Sequence, residues 1–230
     1  MQIHRREQVS RQPNGPHDSP VQRACNTLLP PAVPVQHITI PATSVGFDDL
    51  RRLGAVLWVI DAENLNYSLS RIGWKPDYGA MLQRIASVSE SVDAHAFMST
   101  SETSMEPKRR YFASQGIAPH LRTHDTILAV GQAGPHCNSD NELLLHLGFL
   151  CGQRTYDTVI LGTGDGALGC AAGNFLAGLA QPPRVYTISV QGSTSVQLLT
   201  RSNWLINGNM IIGGDLVRRY GDASVLRTRH

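Results

Sequence analysis

Cysteine is scarce in this chain, with four residues among 230, and no two of them form a C-x-x-C pair. The sequence therefore lacks the ligand spacing of a zinc knuckle and the motif of a thioredoxin-like redox site. Cys151 and Cys170 lie within apolar runs, where we expect buried thiols that suit a reducing compartment. Long hydrophobic runs are missing as well, and residues 1–20 lack the continuous apolar segment of a secretory signal. These absences favour a cytoplasmic protein with no membrane partner.

An excess of charge of one sign is also missing. The chain has 20 Lys and Arg against 18 Asp and Glu, which gives a formal net charge of +2. Because dedicated nucleic-acid binders usually carry a larger basic excess, this balance permits an RNA partner but does not argue for one. The content of 41% hydrophobic and 17% charged residues is that of an ordinary globular protein.

The N-terminal segment differs in composition from the rest of the chain. Residues 1–50 are rich in Pro, Gln, His and Ser, and such a segment cannot bury enough apolar surface to offset its ordering entropy. We predict a flexible arm over residues 1–50, one domain over residues 51–220 and a short tail over residues 221–230. A protein partner or a second copy of the chain, in a homodimer, would bind through the arm.

Apolar strands alternate with helical segments from residue 55 onward. The continuous apolar run 55–60 ends in a polar cluster, which is typical of a strand buried on both faces of a parallel sheet. Apolar and turn residues predict further strands at 92–98, 117–121, 157–161 and 184–190, and helices at 77–88, 104–115, 139–153 and 167–180. This alternation predicts βαβ units in an α/β fold, a three-layer α/β/α sandwich with a mainly parallel central sheet.

Turn and capping residues mark the ends of two of these helices. Gly116 is expected in the C′ position after the helix at 104–115. Ser139 and Glu142 have the spacing of a capping box, which assigns Glu142 to a reciprocal hydrogen bond rather than to a metal. Between these two helices, the loop 123–138 is long enough to act as a mobile lid.

Three carboxylates stand near the ends of predicted strands. Asp61 directly follows the first strand, and Asp165 directly follows the strand at 157–161. Asp140 lies in the first turn of the helix that leads into that strand. Because ligands of parallel sheets bind beyond the carboxyl ends of the strands, near a switch in strand order, we expect all three in one crevice.

Clustered carboxylates at this edge predict a metal site. They repel one another and raise one another's pKa values, and a divalent cation removes that conflict. Hard oxygen ligands favour Mg²⁺ or Mn²⁺, and Asn64 could add a neutral oxygen one turn beyond Asp61. A single Asp after a strand is more often a turn residue or a helix cap. Together, the three acids favour a site that activates water and neutralises a phosphate, which is the chemistry of phosphodiester hydrolysis.

Three motifs carry a resemblance to a known family: VIDAEN at 59–64, SD at 139–140 and YDTVILGTGDG at 156–166. In order and spacing, over about residues 55–220, they resemble the NYN branch of the PIN-like ribonuclease superfamily. The resemblance implies a PIN-like fold and an endoribonuclease that depends on Mg²⁺ or Mn²⁺. It also implies a catalytic site with three metal ligands and one supporting amide, namely Asp61, Asp140 and Asp165 with Asn64.

Two positions depart from the family pattern. Ala167 stands where the family commonly has a second acid, and His146 stands where it often has another acid on the preceding helix. A site with fewer carboxylates should hold metal more weakly, above all a second ion. On its Leu-rich helix, His146 is expected to be a core histidine rather than a ligand or proton carrier. The alternative function is therefore a catalytically weakened PIN-like module that binds RNA or a protein partner.

An RNA substrate needs cations and stacking groups around the acids. The candidates for substrate binding are Arg109, Arg110 and Arg71, and further phosphate contacts are expected from Lys108 and Arg122. The alternative interpretation of each position is a charged helix face that only meets solvent, as most such faces do.

Two other enzyme classes fit the sequence less well. A haloacid-dehalogenase-like phosphatase needs a second Asp two residues after Asp61, where this chain has Glu63. It also needs a basic residue, usually Lys, ahead of the late acidic turn, and the two lysines of the chain, Lys75 and Lys108, are far upstream. A nucleotide-cofactor site is disfavoured because no G-x-G-x-x-G follows the first strand and no Walker motif is present.

Overall fold

A six-stranded parallel sheet forms the centre of the domain. The computed structural model describes residues 46–47, 50–123, 139–200 and 206–220. The strands are β1 (Ala55–Asp61), β2 (Trp74–Pro76), β3 (Ser91–Thr100), β4 (Ala118–Thr123), β5 (Thr158–Gly162), β6 (Arg184–Val190), β7 (Gly208–Ile212) and β8 (Val217–Arg219). The sheet order is β4-β3-β1-β5-β6-β7, and every neighbouring pair is parallel.

Helices cover both faces of this sheet. They are α1 (Ala62–Ser70), α2 (Tyr78–Ala86), α3 (Glu102–Ser114), α4 (Asp140–Gln153), α5 (Gly166–Ala177) and α6 (Val196–Thr200), with a 3₁₀ turn at Gly214–Leu216. No helix within the described ranges is long and apolar enough to cross a membrane.

The central strand β1 shows why the domain has three layers. Val56, Trp58 and Ile60 point into one hydrophobic core, and Leu57 and Val59 point into the other. The first core is closed by α1, α2 and α3, and the second by α4 and α5. Because successive side chains of a strand point to opposite faces, a run without polar residues is stable only when both faces are covered. The predicted α/β/α sandwich with a parallel sheet is confirmed.

The strands β2 and β8 and the first helix were not predicted. The strands β2 and β8, each three residues long, form a separate antiparallel pair that joins residues more than a hundred positions apart. The helix α1 begins directly after β1, where Asp61 caps it by accepting a hydrogen bond from the Asn64 N–H. Only one narrow face of α1 is buried, through Ala62, Leu65 and Leu69, so its hydrophobic pattern is weak.

The predicted capping box at the start of α4 is wrong. Ser139 has helical backbone angles (φ −70°, ψ −8°) and makes no side-chain capping bond within the described residues. A capping side chain normally sits on a residue in the β region, so the Ser139 hydroxyl is poorly placed to reach the N–H groups of the helix. Glu142 forms an ion pair with Arg122 of β4 instead. The first turn of α4 is therefore held by an ion pair with β4 rather than by a capping box.

Packing against the domain begins before residue 51, the predicted domain boundary. Phe47 and Leu50 are buried in the core that α1 and α2 cover. The remainder of the predicted arm, the predicted tail at 221–230 and residues 124–138 of the predicted lid lie outside the described residues.

Candidate functional site

The strand order switches direction at β1. From β1 the chain builds outward through β3 to β4, then returns to the other side of β1 and builds β5, β6 and β7. The switch point therefore lies between β1 and β5, whose residues Ile60 and Gly162 are partners. Asp61 ends β1, and Asp165 lies three residues beyond the end of β5. As predicted, both acids lie at the edge of the sheet where parallel α/β folds bind ligands.

Asp61 is a buried carboxylate, only 5% exposed. One of its oxygens accepts a hydrogen bond from the Asn64 N–H (3.0 Å), and the other accepts one from the Thr163 hydroxyl (3.2 Å). Burial raises the pKa of Asp61 to about 7, and the nearby charges of Asp140 and Glu63 raise it further, against the lowering effect of the two hydrogen bonds. The effect of Asp140 on this pKa indicates that Asp61 and Asp140 lie near each other.

Asn64 links the two loops at the switch point. Its side-chain oxygen accepts a hydrogen bond from the Gly164 N–H (2.8 Å). A side chain on Gly164 would place its Cβ 2.9 Å from the Ser193 carbonyl oxygen and 3.3 Å from this Asn64 oxygen. Glycine is therefore needed at 164 because the backbone approaches its neighbours too closely for a larger residue. The amide oxygen of Asn64 faces the same loop as Asp165, but it is engaged with the backbone.

Asp165 is the N-cap of α5. Its Oδ1 accepts hydrogen bonds from the N–H groups of Ala167 (2.7 Å) and Leu168 (3.1 Å), and its own N–H donates to the Thr163 hydroxyl (3.1 Å). The side chain is half-buried. Asp140 is also half-buried, in the first turn of α4. The acids therefore reach the site from two strand ends and one helix start.

The three aspartates are not drawn into a tight cluster. Within the described residues, one group of three or more His, Cys, Asp or Glu side chains has its ligand atoms within 4.8 Å of one another, and it consists of histidines. The carboxylate oxygens of Asp61, Asp140 and Asp165 are therefore not all within that distance of one another. The caps at Asp61 and Asp165 explain this spacing, because each side chain is held against the start of its own helix.

Glu63 is a fourth acid at this edge that the sequence did not predict as part of the site. Its carboxylate accepts a hydrogen bond from the Ser99 N–H near the end of β3. Ala62, the neighbouring residue, is buried in the core, whereas the Glu63 side chain points toward β3. This contact places a further negative charge near Asp61.

The predicted substrate-binding arginines lie on exposed surfaces. Arg109 and Arg110 both pair with Glu106 on their own helix, at 3.7 and 3.6 Å, and their side chains are about half or more exposed. Arg71 lies 5.9 Å from the centre of the Tyr67 ring and is exposed. The three arginines therefore make the local contacts that are typical of charged side chains on a solvent-exposed surface.

A cavity of about 220 Å³ lies between α1, α3 and the β2–β8 pair. Its lining includes three basic residues, Lys75, Lys108 and Arg218, and three aromatic residues, of which Tyr111 is the most exposed. Arg218 is paired with Asp77. Burial lowers the pKa of Lys108, and the charge of Glu63 opposes that shift. The charge of Glu63 thus acts on both Lys108 and Asp61, which indicates that Lys108 lies nearer to the acids than the predicted arginines, which pair within their own helix or stack on Tyr67.

His146 contacts two other histidines, His120 of β4 and His95 of β3. On α4 it is half-buried, and its ring is 4.1 Å from that of His120 and 5.8 Å from that of His95. The three side chains are the group with ligand atoms within 4.8 Å of one another. No local pattern indicated this group, because each of three separate elements contributes one histidine and only the fold makes them neighbours.

Comparisons with known proteins support the fold. No protein-family model and no curated protein matches the chain. A crystal structure of a protein of unknown function from Vibrio parahaemolyticus is similar, with a TM-score of 0.56 and 17% sequence identity. The match covers 73% of this chain and 96% of that one. At this level of identity, the likeness shows the α/β fold alone.

Proposed function

We propose that the protein is an endoribonuclease that hydrolyses RNA phosphodiester bonds with Mg²⁺ or Mn²⁺. The proposed site is the acidic edge, by which we mean Asp61 and Asp165, at the carboxyl ends of β1 and β5, together with Asp140 of α4. The observation that carries the proposal is the buried carboxylate of Asp61, whose pKa is raised to about 7 at the strand-order switch, with Asp140 close by. A buried acid beside other acids is unfavourable unless a cation compensates it. The resemblance of the three motifs to the NYN branch supports the same function.

The donors at this edge fit a hard divalent cation. Asp61, Asp140 and Asp165 offer carboxylate oxygens, and Asn64 offers an amide oxygen. The bound ion would supply activation of water and neutralisation of phosphate charge. The Thr163 hydroxyl and the Asn64 N–H orient the Asp61 carboxylate before any ion binds. The α5 cap orients Asp165 in the same way, so the protein has already fixed two of the three acids.

The direct test is cleavage of a labelled single-stranded RNA by the full chain with Mn²⁺ or Mg²⁺. We expect cleavage that EDTA abolishes and that Asp165→Asn reduces to the EDTA background. Asn is chosen because it caps a helix about as well as Asp, so α5 should stay intact. Equal cleavage by both proteins would identify a contaminating nuclease. Absence of cleavage by the wild type on several RNAs would contradict the proposal.

A second candidate function is a module that binds RNA or a protein partner without cleavage. One observation favours it: the side chains of Asp61, Asn64 and Asp165 all accept hydrogen bonds from the backbone, and so serve the fold. Metal binding distinguishes the two functions. An ion at a hundred times its Kd should stabilise the nuclease by about 2.7 kcal/mol. For the binding module we expect the same melting temperature with and without Mn²⁺.

RNA affinity should depend on Lys108 more than on Arg110. Lys108→Ala removes a partly buried cation from the cavity, so we expect the slope of log affinity against log salt to fall by about 0.7. Arg110→Ala removes an exposed cation that is paired with Glu106 and should leave the slope unchanged. Fluorescence anisotropy with labelled RNA in EDTA measures both. A larger effect from Arg110→Ala would indicate that RNA binds on the exposed face of α3 rather than at the cavity.

A further inference from the structure

We propose that β3, β4 and α4 hold a second metal site, built from His95, His120 and His146 and suited to Zn²⁺. Their ligand nitrogens lie within 4.8 Å of one another. Imidazole is a preferred ligand of zinc and other late transition metals, whereas Mg²⁺ prefers oxygen. The site is therefore chemically distinct from the acidic edge and does not depend on the proposed nuclease function.

The fold brings the three histidines together through strand register and helix packing. In the β3–β4 pair, His95 lies opposite Ala118 and Phe97 lies opposite His120. Because alternate residues of a strand share a face, His95, Phe97 and His120 lie on one face of the sheet. Phe97 belongs to the core that α4 covers, and His146 projects from α4 onto this group. Three separate elements thus each contribute one ligand.

A neighbouring carboxylate orients one of these rings. Asp93 accepts a hydrogen bond from His95 Nε2 (2.9 Å), and its other oxygen accepts one from the Tyr156 hydroxyl (2.8 Å). Arg154 lies 3.8 Å from the same carboxylate, and an ionised carboxylate can only accept hydrogen bonds. In the neutral tautomer that fits this contact, His95 carries its proton on Nε2 and its lone pair on Nδ1. A carboxylate that holds a histidine in this way is the usual outer partner of a metal-binding imidazole.

The lone pair of His95 points at the second ligand. His95 Nδ1 is 3.0 Å from His120 Nε2, where one ring nitrogen donates to the other. Two nitrogens bound to one tetrahedral zinc ion are about 3.3 Å apart, given Zn–N bonds of about 2.0 Å. An ion could therefore replace the shared proton with a small outward shift of the rings. That proton would move to His120 Nδ1, which leaves all three imidazoles neutral.

The environment of His120 and His146 disfavours the charged form of both rings. Burial, followed by the proximity of His146 and His95, lowers the pKa of His120 to about 4. Burial and His95 also lower the pKa of His146. One face of the His120 ring stacks on the Phe97 ring, with 4.5 Å between ring centroids and 10° between ring planes. This stacking does not involve His120 Nε2, which contacts His95.

An ion bound by the three histidines would hold α4 against strands β3 and β4. Asp140 lies six residues before His146 on the same helix, about 9 Å along its axis. An ion held by both strands and the helix would therefore determine where Asp140 stands relative to Asp61. This role is structural, and it needs no contact between the zinc ion and RNA.

The test is titration of the metal-stripped, untagged full chain with Co²⁺, which reports tetrahedral nitrogen ligation by its visible absorption. We expect one Co²⁺ per chain, displacement by Zn²⁺ and no displacement by Mg²⁺. His146→Gln should abolish the absorption because it removes one of the three ligands. The variant should fold because position 146 is half-exposed and can accept Gln. Leu145→Gln, at the adjacent and 77% exposed position, is the matched control and should bind like the wild type.

The outer carboxylate provides a second and milder variant. Asp93→Asn keeps the shape of the side chain but removes its charge, so we expect Zn²⁺ affinity to fall by about 10- to 100-fold at unchanged stoichiometry. Far-UV circular dichroism confirms folding of each variant. Absence of stoichiometric Co²⁺ and Zn²⁺ binding by the wild type would overturn the proposal. Equal binding by His146→Gln would overturn it too, and the rings would then be only a stack of neutral histidines.

Discussion

Asp61→Asn should abolish metal-dependent RNA cleavage and, in the same preparation, make the metal-free protein more stable at pH 8. The loss of a metal ligand removes several kcal/mol of transition-state stabilisation, which corresponds to a fall in rate of about a thousandfold. The gain in stability arises because Asp61 is buried and its pKa is raised to about 7. A variant that is both inactive and more stable cannot owe its inactivity to misfolding.

The sign of the stability effect follows from the direction of the pKa shift. The folded pKa of Asp61, about 7, lies above its ordinary value of 3.8, so the folded state holds the proton more tightly than the unfolded state. Burial of Asp61 therefore costs nothing below about pH 4, costs more as the pH rises, and reaches its full effect above pH 7. At pH 8 the difference in unfolding free energy between variant and wild type should be up to about 4 kcal/mol.

The histidine cluster acts in the opposite direction and must be separated from this effect. The folded pKa of His120, about 4, lies below its ordinary value of 6.5. Stability from His120 is complete above pH 6.5 and is lost as the pH falls toward 4. Because this contribution is common to both proteins, it cancels when the variant is compared with the wild type at each pH.

Urea unfolding in EDTA at pH 5 and pH 8, monitored by tryptophan fluorescence, measures the difference. Asn can still accept from the Asn64 N–H and can donate to the Thr163 hydroxyl oxygen, so the cap of α1 survives. Addition of Mn²⁺ at pH 8 should stabilise the wild type alone and narrow the gap. A variant that is less stable than the wild type at pH 8 would show that Asp61 is only a structural cap.

The sequence predicted the layers of the fold because the local pattern and the tertiary environment agree there. The apolar run of β1 is buried on both faces, and the helices α2 to α5 lie where alternation placed them. The positions of Asp61 and Asp165 followed from the same reasoning, since the carboxyl ends of parallel strands share one edge. That edge is a consequence of topology, so knowledge of the strand ends is enough to predict it.

The features that the sequence did not predict depend on contacts between distant residues. The β2–β8 pair, the partner of Glu142 and the cavity with Lys75 each require the final packing of elements far apart in the chain. His146 was expected to be a core residue because only its own helix was visible in the pattern. The β3–β4 register that places His95 and His120 beneath it is not encoded in any local motif.

Gly54→Ala should be among the most destabilising small substitutions in the domain. Gly54 precedes β1 with φ of +70°, a conformation that costs an L-residue about 1 kcal/mol or more. Its added Cβ would also lie 2.3 Å from Asp157 Oδ2 and 2.8 Å from Asp157 Cβ. Rotation of the Asp157 side chain could relieve the first clash but not the second, because Cβ moves only with the backbone.

The backbone of Asp157 cannot move without a loss of sheet hydrogen bonds. Its N–H donates to the Ala55 carbonyl (2.9 Å), and its carbonyl accepts from the Arg184 N–H (3.0 Å). Its Oδ2 also accepts from the Ala55 N–H (2.7 Å), and rotation would break that bond. Strain, overpacking and one lost hydrogen bond together give an expected destabilisation of about 3 to 5 kcal/mol.

Gly73→Ala is the matched control for this substitution. Gly73 has a similar φ of +79°, but no described atom lies within 4 Å of its added Cβ, so only the backbone strain applies, about 1 kcal/mol. Urea unfolding of both variants at pH 7 separates strain from clash. Equal destabilisation would mean that the β1–β5 edge yields to the clash at no cost. A large excess for Gly54→Ala would show that Asp157 rigidly joins the starts of β1, β5 and β6, at the opposite end of the strands from the acids.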